Sequence, residues 1–178
     1  SSREKSSLLP IEEARKNRLK LKIASYRPTK PSVLGIKVFK NIPLKDISPY
    51  IDWSPFFTTW ELQGSYPKIF KDQVVGAEAK KLFNDAQKLL KTIIQKKQLA
   101  AKAVIGLFPA NSVGDDIEVY ADENRKRVLT TFHTLRQQGQ KSLKQPNFAL
   151  TDFIAPKESN IKDYIGGFAV TTGIGLEK

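Results

Sequence analysis

The chain has 178 residues, enough for one domain with its own core or for a small domain preceded by an arm. Hydrophobic residues make up 40% of it and aromatic residues 10%, which excludes general disorder, and no apolar run approaches the roughly 18 residues of a membrane span. The net charge is +12, and residues 1–50 hold 12 of the 30 basic residues but only 4 of the 18 acidic ones. This asymmetry predicts a basic linker or arm over residues 1–45 that leads into a domain over residues 46–178.

Residue counts exclude several chemistries. Without cysteine the chain has no disulfide, no thiolate metal site and no cysteine nucleophile. The lone histidine, His133, cannot form a multi-histidine zinc site, and a structural role is predicted for it. The polar N-terminal residues predict no secretory leader, and a chain that begins with Ser and contains no Met is expected to be a piece of a longer polypeptide. We predict no catalytic residue and no metal ligand within it.

Helices dominate the first half of the predicted structure. A short helix is predicted over residues 11–22, with Pro10 placed to open it, and a strand over residues 33–39. A second short helix is predicted over residues 42–51. The longest periodic segment, residues 76–97, repeats apolar residues every three or four positions and predicts an amphipathic helix with its lysines facing outward.

Strands dominate the second half. They are predicted near residues 103–108, 116–120, 126–137 and 163–175. The first two form a hairpin around residues 111–115, where Gly114 permits a positive φ in the turn. The polar stretch "RQQGQKSLKQPN", residues 136–147, is predicted to be an exposed loop. Because a block of helices precedes a block of strands, the fold class is α+β, with helices packed on a twisted, largely antiparallel sheet.

Three acids follow the hairpin turn: Asp115, Asp116 and Glu118. They could hold a cation, but adjacent carboxylates at the start of a strand point to different faces. A turn followed by an exposed strand edge is therefore favoured. The glycines nearby match neither a phosphate-binding loop nor a dinucleotide motif, so they predict no nucleotide site.

One acid, Asp52, stands among seven aromatic residues in the stretch "PYIDWSPFFTTWELQGSYPKIF", residues 49–70. A short helix is predicted over residues 53–62, and its apolar side is formed by Trp53, Phe56, Phe57 and Trp60. A carboxylate among rings would be costly to desolvate unless it capped that helix or met a cation. Both alternatives are physically sound: Asp52 accepts backbone N–H bonds as an N-cap, or it binds an ammonium or lies near a sulfonium cation.

Several long motifs resemble one known family. They are, in chain order, "PYIDWSPFFTTWELQGSYPKIF", "VVGAEAKKLFNDAQKLL", "AVIGLFPANSVGDDIEVYAD", "LRQQ" and "DFIAPKESNIKDYIGGFAVTTG". Together they resemble the activation domain of cobalamin-dependent methionine synthase, and the upstream "LPIEEARKNR" and "KPSVLGIKVFKNIPLKDISPYIDW" resemble the linker before it. The chain ends at "GLEK", before any counterpart of the family's later arginine- and tyrosine-containing S-adenosylmethionine motifs. The resemblance therefore covers the linker and the N-terminal part of that domain.

The resemblance implies a reactivation module of a methyltransferase in methionine biosynthesis. In that family the domain binds S-adenosylmethionine and, with an electron from flavodoxin or a flavoprotein reductase, supports reductive methylation of a cobalamin held by a neighbouring domain. By position, Asp52 is the implied S-adenosylmethionine contact. The full enzyme holds zinc only in a remote domain, is cytoplasmic and has no membrane partner. The fragment alone is expected to be inactive, because the remaining ligand contacts lie outside it.

The basic charge leaves two further hypotheses. The lysines and arginines of residues 1–45 are expected to attract an acidic flavodoxin by long-range electrostatics. The alternative from another class is a basic nucleic-acid-binding module, with aromatic rings that stack on bases. The segregation of charge and aromatic residues along the chain disfavours that alternative. A third possibility is a structural fragment that folds and binds nothing.

Overall fold

A computed structural model describes residues 8–23, 25–142 and 145–176. Its helices are α1 (Ile11–Lys16), α2 (Leu44–Ile47), α3 (Ser54–Thr59) and α4 (Gly76–Lys96). Its strands are β1 (Gly35–Ile42), β2 (Ala100–Val113), β3 (Asp116–Tyr120), β4 (Val128–His133) and β5 (Asp163–Ile174). Short 3-10 turns lie at Ser48–Tyr50, Lys68–Lys71, Leu150–Phe153 and Lys157–Ser159. The predicted α+β class is confirmed.

The strands form one sheet in the order β1-β2-β3-β4, and β5 pairs with β2. Strands β2 and β3 are antiparallel, as are β3 and β4. The predicted hairpin is confirmed, but β2 runs to Val113, which lies opposite Asp116. The predicted five-residue turn is therefore wrong: it has only two residues, Gly114 with φ +61° and Asp115. Two-residue turns with positive φ match the twist of the flanking strands.

Two compact units make up the chain. Unit 1 comprises Ser1–Lys37 and Ile105–Phe168, and unit 2 comprises Val38–Val104 and Ala169–Lys178. The described residues before Lys37 thus group with the β2–β3–β4 region of unit 1. The boundary predicted at residue 45 stays a prediction.

Unit 2 has an aromatic core. Its fully buried residues are Phe57, Ile69 and Ala79. Half-buried side chains pack around them: Trp53, Phe56, Leu62, Phe70, Val75, Leu82 and Phe83. The predicted helix over residues 76–97 is confirmed as α4, which ends at Lys96 because Lys97 adopts a left-handed conformation with φ 50°. The apolar stripe of α4 supplies one side of this core.

Unit 1 combines a small apolar cluster with many buried polar groups. Ala110, Ile117 and Val119 form the cluster, with Phe108, Ile154 and Ile165 packed against it. The buried polar residues of the same unit are Asn111, Ser112, Arg136, Asn147, Thr151, Asp152 and Asp163. Buried polar groups require hydrogen-bond partners, so this unit depends on a side-chain network.

The first helix is shorter than predicted. It ends at Lys16 rather than near residue 22, and residues 18–22 belong to no helix or strand. "RLKLKI" alternates polar and apolar residues with a period of two, which suits an extended chain better than a helix. The helix stops at Asn17, whose side-chain amide donates to Asn147 Oδ1 at 2.7 Å. A tertiary contact outside the local sequence therefore accompanies the helix end.

The prediction of an exposed loop over residues 136–147 is wrong at both ends. Arg136 is 6% exposed and Asn147 is fully buried. The reason is that both are hydrogen-bonded inside unit 1: Asn147 Nδ2 donates to the carbonyls of Gln137 and Gly139, each at 2.9 Å. Strand β4 accordingly ends at His133, before this network begins, and not at residue 137 as predicted.

Candidate functional site

Asp52 stands directly before α3 with an exposed side chain. Its Oδ1 accepts the backbone N–H of Ser54, the first residue of α3, at 3.0 Å. The N-cap position is occupied by Trp53, which makes no side-chain cap bond. Asp52, one position before the N-cap, thus stabilises the start of α3 through a single hydrogen bond. The second carboxylate oxygen, Oδ2, takes no part in that bond.

The rings beside Asp52 pack on one another instead of enclosing the carboxylate. Trp53 meets Phe83 edge to face with 5.0 Å between ring centroids, and Phe56 in the same way at 5.4 Å. Phe57 meets Phe70 edge to face at 5.9 Å. Such edge-to-face pairs are favourable and hold their members in defined positions. The aromatic cluster therefore provides a rigid base for the chain that carries Asp52.

Two expectations about this stretch are corrected. Asp52 is exposed, so the desolvation cost that the surrounding aromatic residues suggested does not apply to it. Trp60 was predicted on the apolar side of the helix, but its side chain is 60% exposed. The helix ends at Thr59, and Trp60 follows it as the C-cap, so its ring leaves the apolar side of the helix. Tyr50, upstream, is 86% exposed.

Asp115, predicted on an exposed edge, lies in a largely buried ion network. Its Oδ2 accepts Arg15 Nε at 2.7 Å, and its Oδ1 accepts Arg136 Nη2 at 2.6 Å. Its side chain is only 14% exposed. Burial raises the pKa of Asp115, but the hydrogen bonds and charges of the two guanidinium groups outweigh burial and hold that pKa below its usual value.

Arg136 is the centre of this network. Its side chain is inaccessible to solvent, and it binds Asp152 through two nitrogens, at 2.7 and 2.8 Å. A further N–H reaches the carbonyl of Asn147 at 2.7 Å. With its bonds to Asp115, the guanidinium uses all of its donors, and the hydrogen bonds that it donates to Asp152 and Asp115 raise its pKa. The network is fully satisfied internally, which indicates a structural role.

The other hairpin acids have separate partners. Asp116 Oδ1 lies 3.1 Å from Nδ1 of His133, the residue directly opposite on β4, and the His133 side chain is 80% exposed. Glu118 accepts Lys157 Nζ at 2.7 Å. In residues 8–23, 25–142 and 145–176, no group of three His, Cys, Asp or Glu residues could hold a metal ion. Each of the three acids thus has its own basic partner or partners.

Sequence reasoning missed two residues of this region, Arg136 and Arg125. Arg125 has a φ of 55°, and its guanidinium lies 5.5 Å from the ring centroids of both Tyr120 and Tyr164. It also donates to Asn111 Oδ1 at 2.7 Å. Neither arginine carries a local signal, since their partners are at least several residues away and are brought together only by the fold.

The fold and the candidate site define a small α+β module, with an exposed carboxylate on an aromatic base in unit 2 and an internally satisfied ion network in unit 1. Residues 43–178 match the model of the family described as "Vitamin B12 dependent methionine synthase, activation domain". The chain belongs to this activation domain family. In the described ranges, no helix combines the length and apolar character needed to cross a membrane.

A solved structure agrees with this membership. The "Crystal Structure of the MetH Reactivation Domain bound to AdoHcy" is 44% identical to this chain, with a TM-score of 0.87. The match covers 97% of this chain and 52% of that one. The chain thus spans about half the length of the structure that it matches.

Proposed function

We propose that this chain contributes to S-adenosylmethionine binding in the reactivation module of cobalamin-dependent methionine synthase. The observation that carries the proposal is the 44% identity, over 97% of this chain, to a reactivation domain bound to AdoHcy. The proposal includes membership of a methyltransferase in methionine biosynthesis and a cytoplasmic location. Because the chain covers 52% of that domain, we do not expect it to complete the reaction alone.

Asp52 is the residue proposed to contact the ligand. Its carboxylate is exposed, and one hydrogen bond from Ser54 N–H fixes its Oδ1. Among the residues that the structure describes, no lysine or arginine forms an ion pair with it. A free carboxylate held at a helix start suits the amino group of a methionine moiety, because charge-assisted hydrogen bonds are among the stronger polar contacts.

The proposal also includes the other participants in the reaction. Cobalamin, when bound on the neighbouring domain of the same enzyme, supplies the cobalt centre that receives the methyl group. This chain's part is to bind and orient the methyl donor through Asp52 on its aromatic base. The electron donor is a flavodoxin or a flavoprotein reductase, and zinc stays in a remote domain. Nothing in the fold or the comparisons favours the nucleic-acid alternative.

Titration calorimetry with S-adenosylmethionine tests the proposal. The proteins are this chain, a version extended through the rest of the activation domain, and the extended version with Asp52→Asn. We expect weak binding to the chain alone, clear binding to the extended protein, and a loss of about 10- to 100-fold with Asp52→Asn, because a hydrogen bond to a charged group contributes about 1.5–3 kcal/mol.

The matched control is Asp46→Asn, which makes the same change of charge at an exposed position of α2. It should leave the affinity unchanged. Equal affinity of the Asp52 variant and the parent would remove Asp52 from the site. Absence of binding to the extended parent would overturn the proposed function itself.

A further inference from the structure

A cationic strap, residues 18–23, follows α1 in unit 1. Along it, Arg18, Lys20 and Lys22 are exposed, and Leu19, Leu21 and Ile23 between them are half-buried. The strap therefore presents three exposed cations that alternate along the chain with half-buried apolar side chains.

The strap is anchored at both ends. At its start, the Asn17 carbonyl accepts the N–H of Asn147 at 2.9 Å, and Asn17 Nδ2 donates to Asn147 Oδ1 at 2.7 Å. Beyond its end, the Tyr26 hydroxyl donates to Asp163 Oδ2 at 2.9 Å. Burial, and then this bond, raise the pKa of Tyr26 to about 12, so the donor keeps its proton at neutral pH. Anchors that join residues more than a hundred positions apart restrain the strap between them.

A cavity of about 190 Å³ lies beside the strap. Leu19, Leu21 and Ile23 line it, as do Arg18 and Lys20, together with residues of the β2–β3 hairpin and of the turns near 151–158. The half-buried apolar side chains of the strap therefore lie against other residues of unit 1.

Among the residues that the structure describes, the strap cations differ from their neighbours in having no ionic partner. Arg15 binds Glu12 and Asp115, and Lys16 binds Glu13 at 2.8 Å. Further along, Lys30 binds Glu123, also at 2.8 Å. Within the described part of the chain, no carboxylate forms an ion pair with a strap cation, although Glu158 lines the same cavity as Arg18 and Lys20. The positive charge of the strap is thus uncompensated.

We propose that Arg18, Lys20 and Lys22 form a docking surface for an acidic protein. Residues 18–23 include no aromatic ring on which a base could stack, which disfavours single-stranded nucleic acid. Their apolar side chains are half-buried and line the cavity, which disfavours insertion into a membrane surface. Because its backbone is anchored at both ends, the strap loses little backbone entropy when it meets a row of carboxylates. Only the identity of the natural partner, an acidic flavoprotein, rests on the proposed function.

Binding of fluorescein-labelled poly-L-glutamate, followed by anisotropy at low salt, tests the surface. The variant is Arg18→Gln/Lys20→Gln/Lys22→Gln. The matched control is Lys80→Gln/Lys81→Gln/Lys91→Gln, which removes three exposed lysines from α4 and gives the same net charge. We expect the strap variant to bind about tenfold more weakly, since three surface ion pairs of about 0.5 kcal/mol each correspond to that factor. The α4 control should lose less than about twofold.

Further outcomes decide the inference. Equal losses in the two variants would show that only net charge matters and would overturn it. Tighter strap-dependent binding of an oligo-dT 12-mer or of phosphatidylserine vesicles than of poly-L-glutamate would overturn the choice of an acidic protein. Circular dichroism checks that the variants fold. If the triple strap variant does not fold, the single variant Lys20→Gln is tested in its place. The outcome of the S-adenosylmethionine titration does not depend on this result, so the two proposals can be tested separately.

Discussion

Unit 2 and unit 1 are held together by different chemistry. Unit 2 has rings packed edge to face around Phe57, and unit 1 has an arginine, Arg136, surrounded by carboxylates and amides. The aromatic core gains stability from non-directional burial, whereas the polar network depends on every donor finding its acceptor. The comparison indicates that unit 2 should lose stability according to the apolar volume removed, whereas unit 1 should lose it when one polar partner is removed.

The largest effect is expected in the aromatic core. Phe57 is fully buried and contacts Phe56 and Phe70, so Phe57→Ala leaves a cavity. The free energy of unfolding should fall by about 4 kcal/mol, as measured by urea denaturation. Trp60→Ala, which removes an exposed ring from the same stretch, is the control and should cost less than about 1 kcal/mol. Similar losses in both variants would contradict the assignment of the core.

Removal of the buried arginine should have the next largest effect. Arg136→Met leaves the carboxylate of Asp152 buried without its cation, and we expect a loss of about 3 kcal/mol in the same assay. Lys157→Met breaks the more exposed pair with Glu118 and should cost less than about 1 kcal/mol. Adding Asp152→Asn to Arg136→Met should recover part of the loss. A cost for Arg136→Met no greater than that of its control would show that the network contributes little.

Acid pH should weaken unit 1 through Asp115. Because its pKa in the folded state lies below the unfolded value, its ionised form stabilises the fold above about pH 4, and this contribution is lost as pH falls through the folded pKa. Asp115→Asn should therefore be less stable than the parent at pH 7, and the difference should shrink below about pH 4. Urea denaturation of both proteins from pH 7 to pH 2.5 measures this. A constant difference across that range would contradict the assignment.

The smallest effect is expected at the end of α4. Lys97 has φ 50° and ψ 40°, a conformation that glycine adopts without strain. Lys97→Gly should raise the melting temperature slightly, by the equivalent of about 0.5–1 kcal/mol. Lys96→Gly, one residue earlier and inside the helix, should lower it by a similar amount. The same sign in both variants would contradict the helix boundary.

Prediction from sequence worked better for unit 2 than for unit 1. The periodicity of residues 76–97 predicted α4, and the spacing of Trp53, Phe56 and Phe57 predicted an apolar face that is present. Both signals are local, because a helix places residues three and four apart on one side. The role of Asp52 came from resemblance to the family and stays a prediction, since neither its spacing nor its hydrogen bond to Ser54 identifies a ligand.

The sequence by itself determined the class of fold, the long amphipathic helix, the hairpin and the family. These depend on period, turn chemistry and long motifs, which are properties of neighbouring residues. Only the tertiary structure decided that Arg136 and Asn147 are buried and that the strap cations stand apart from their paired neighbours. The physical reason is that a polar side chain is buried only where distant segments supply its hydrogen bonds, and no local pattern records those partners.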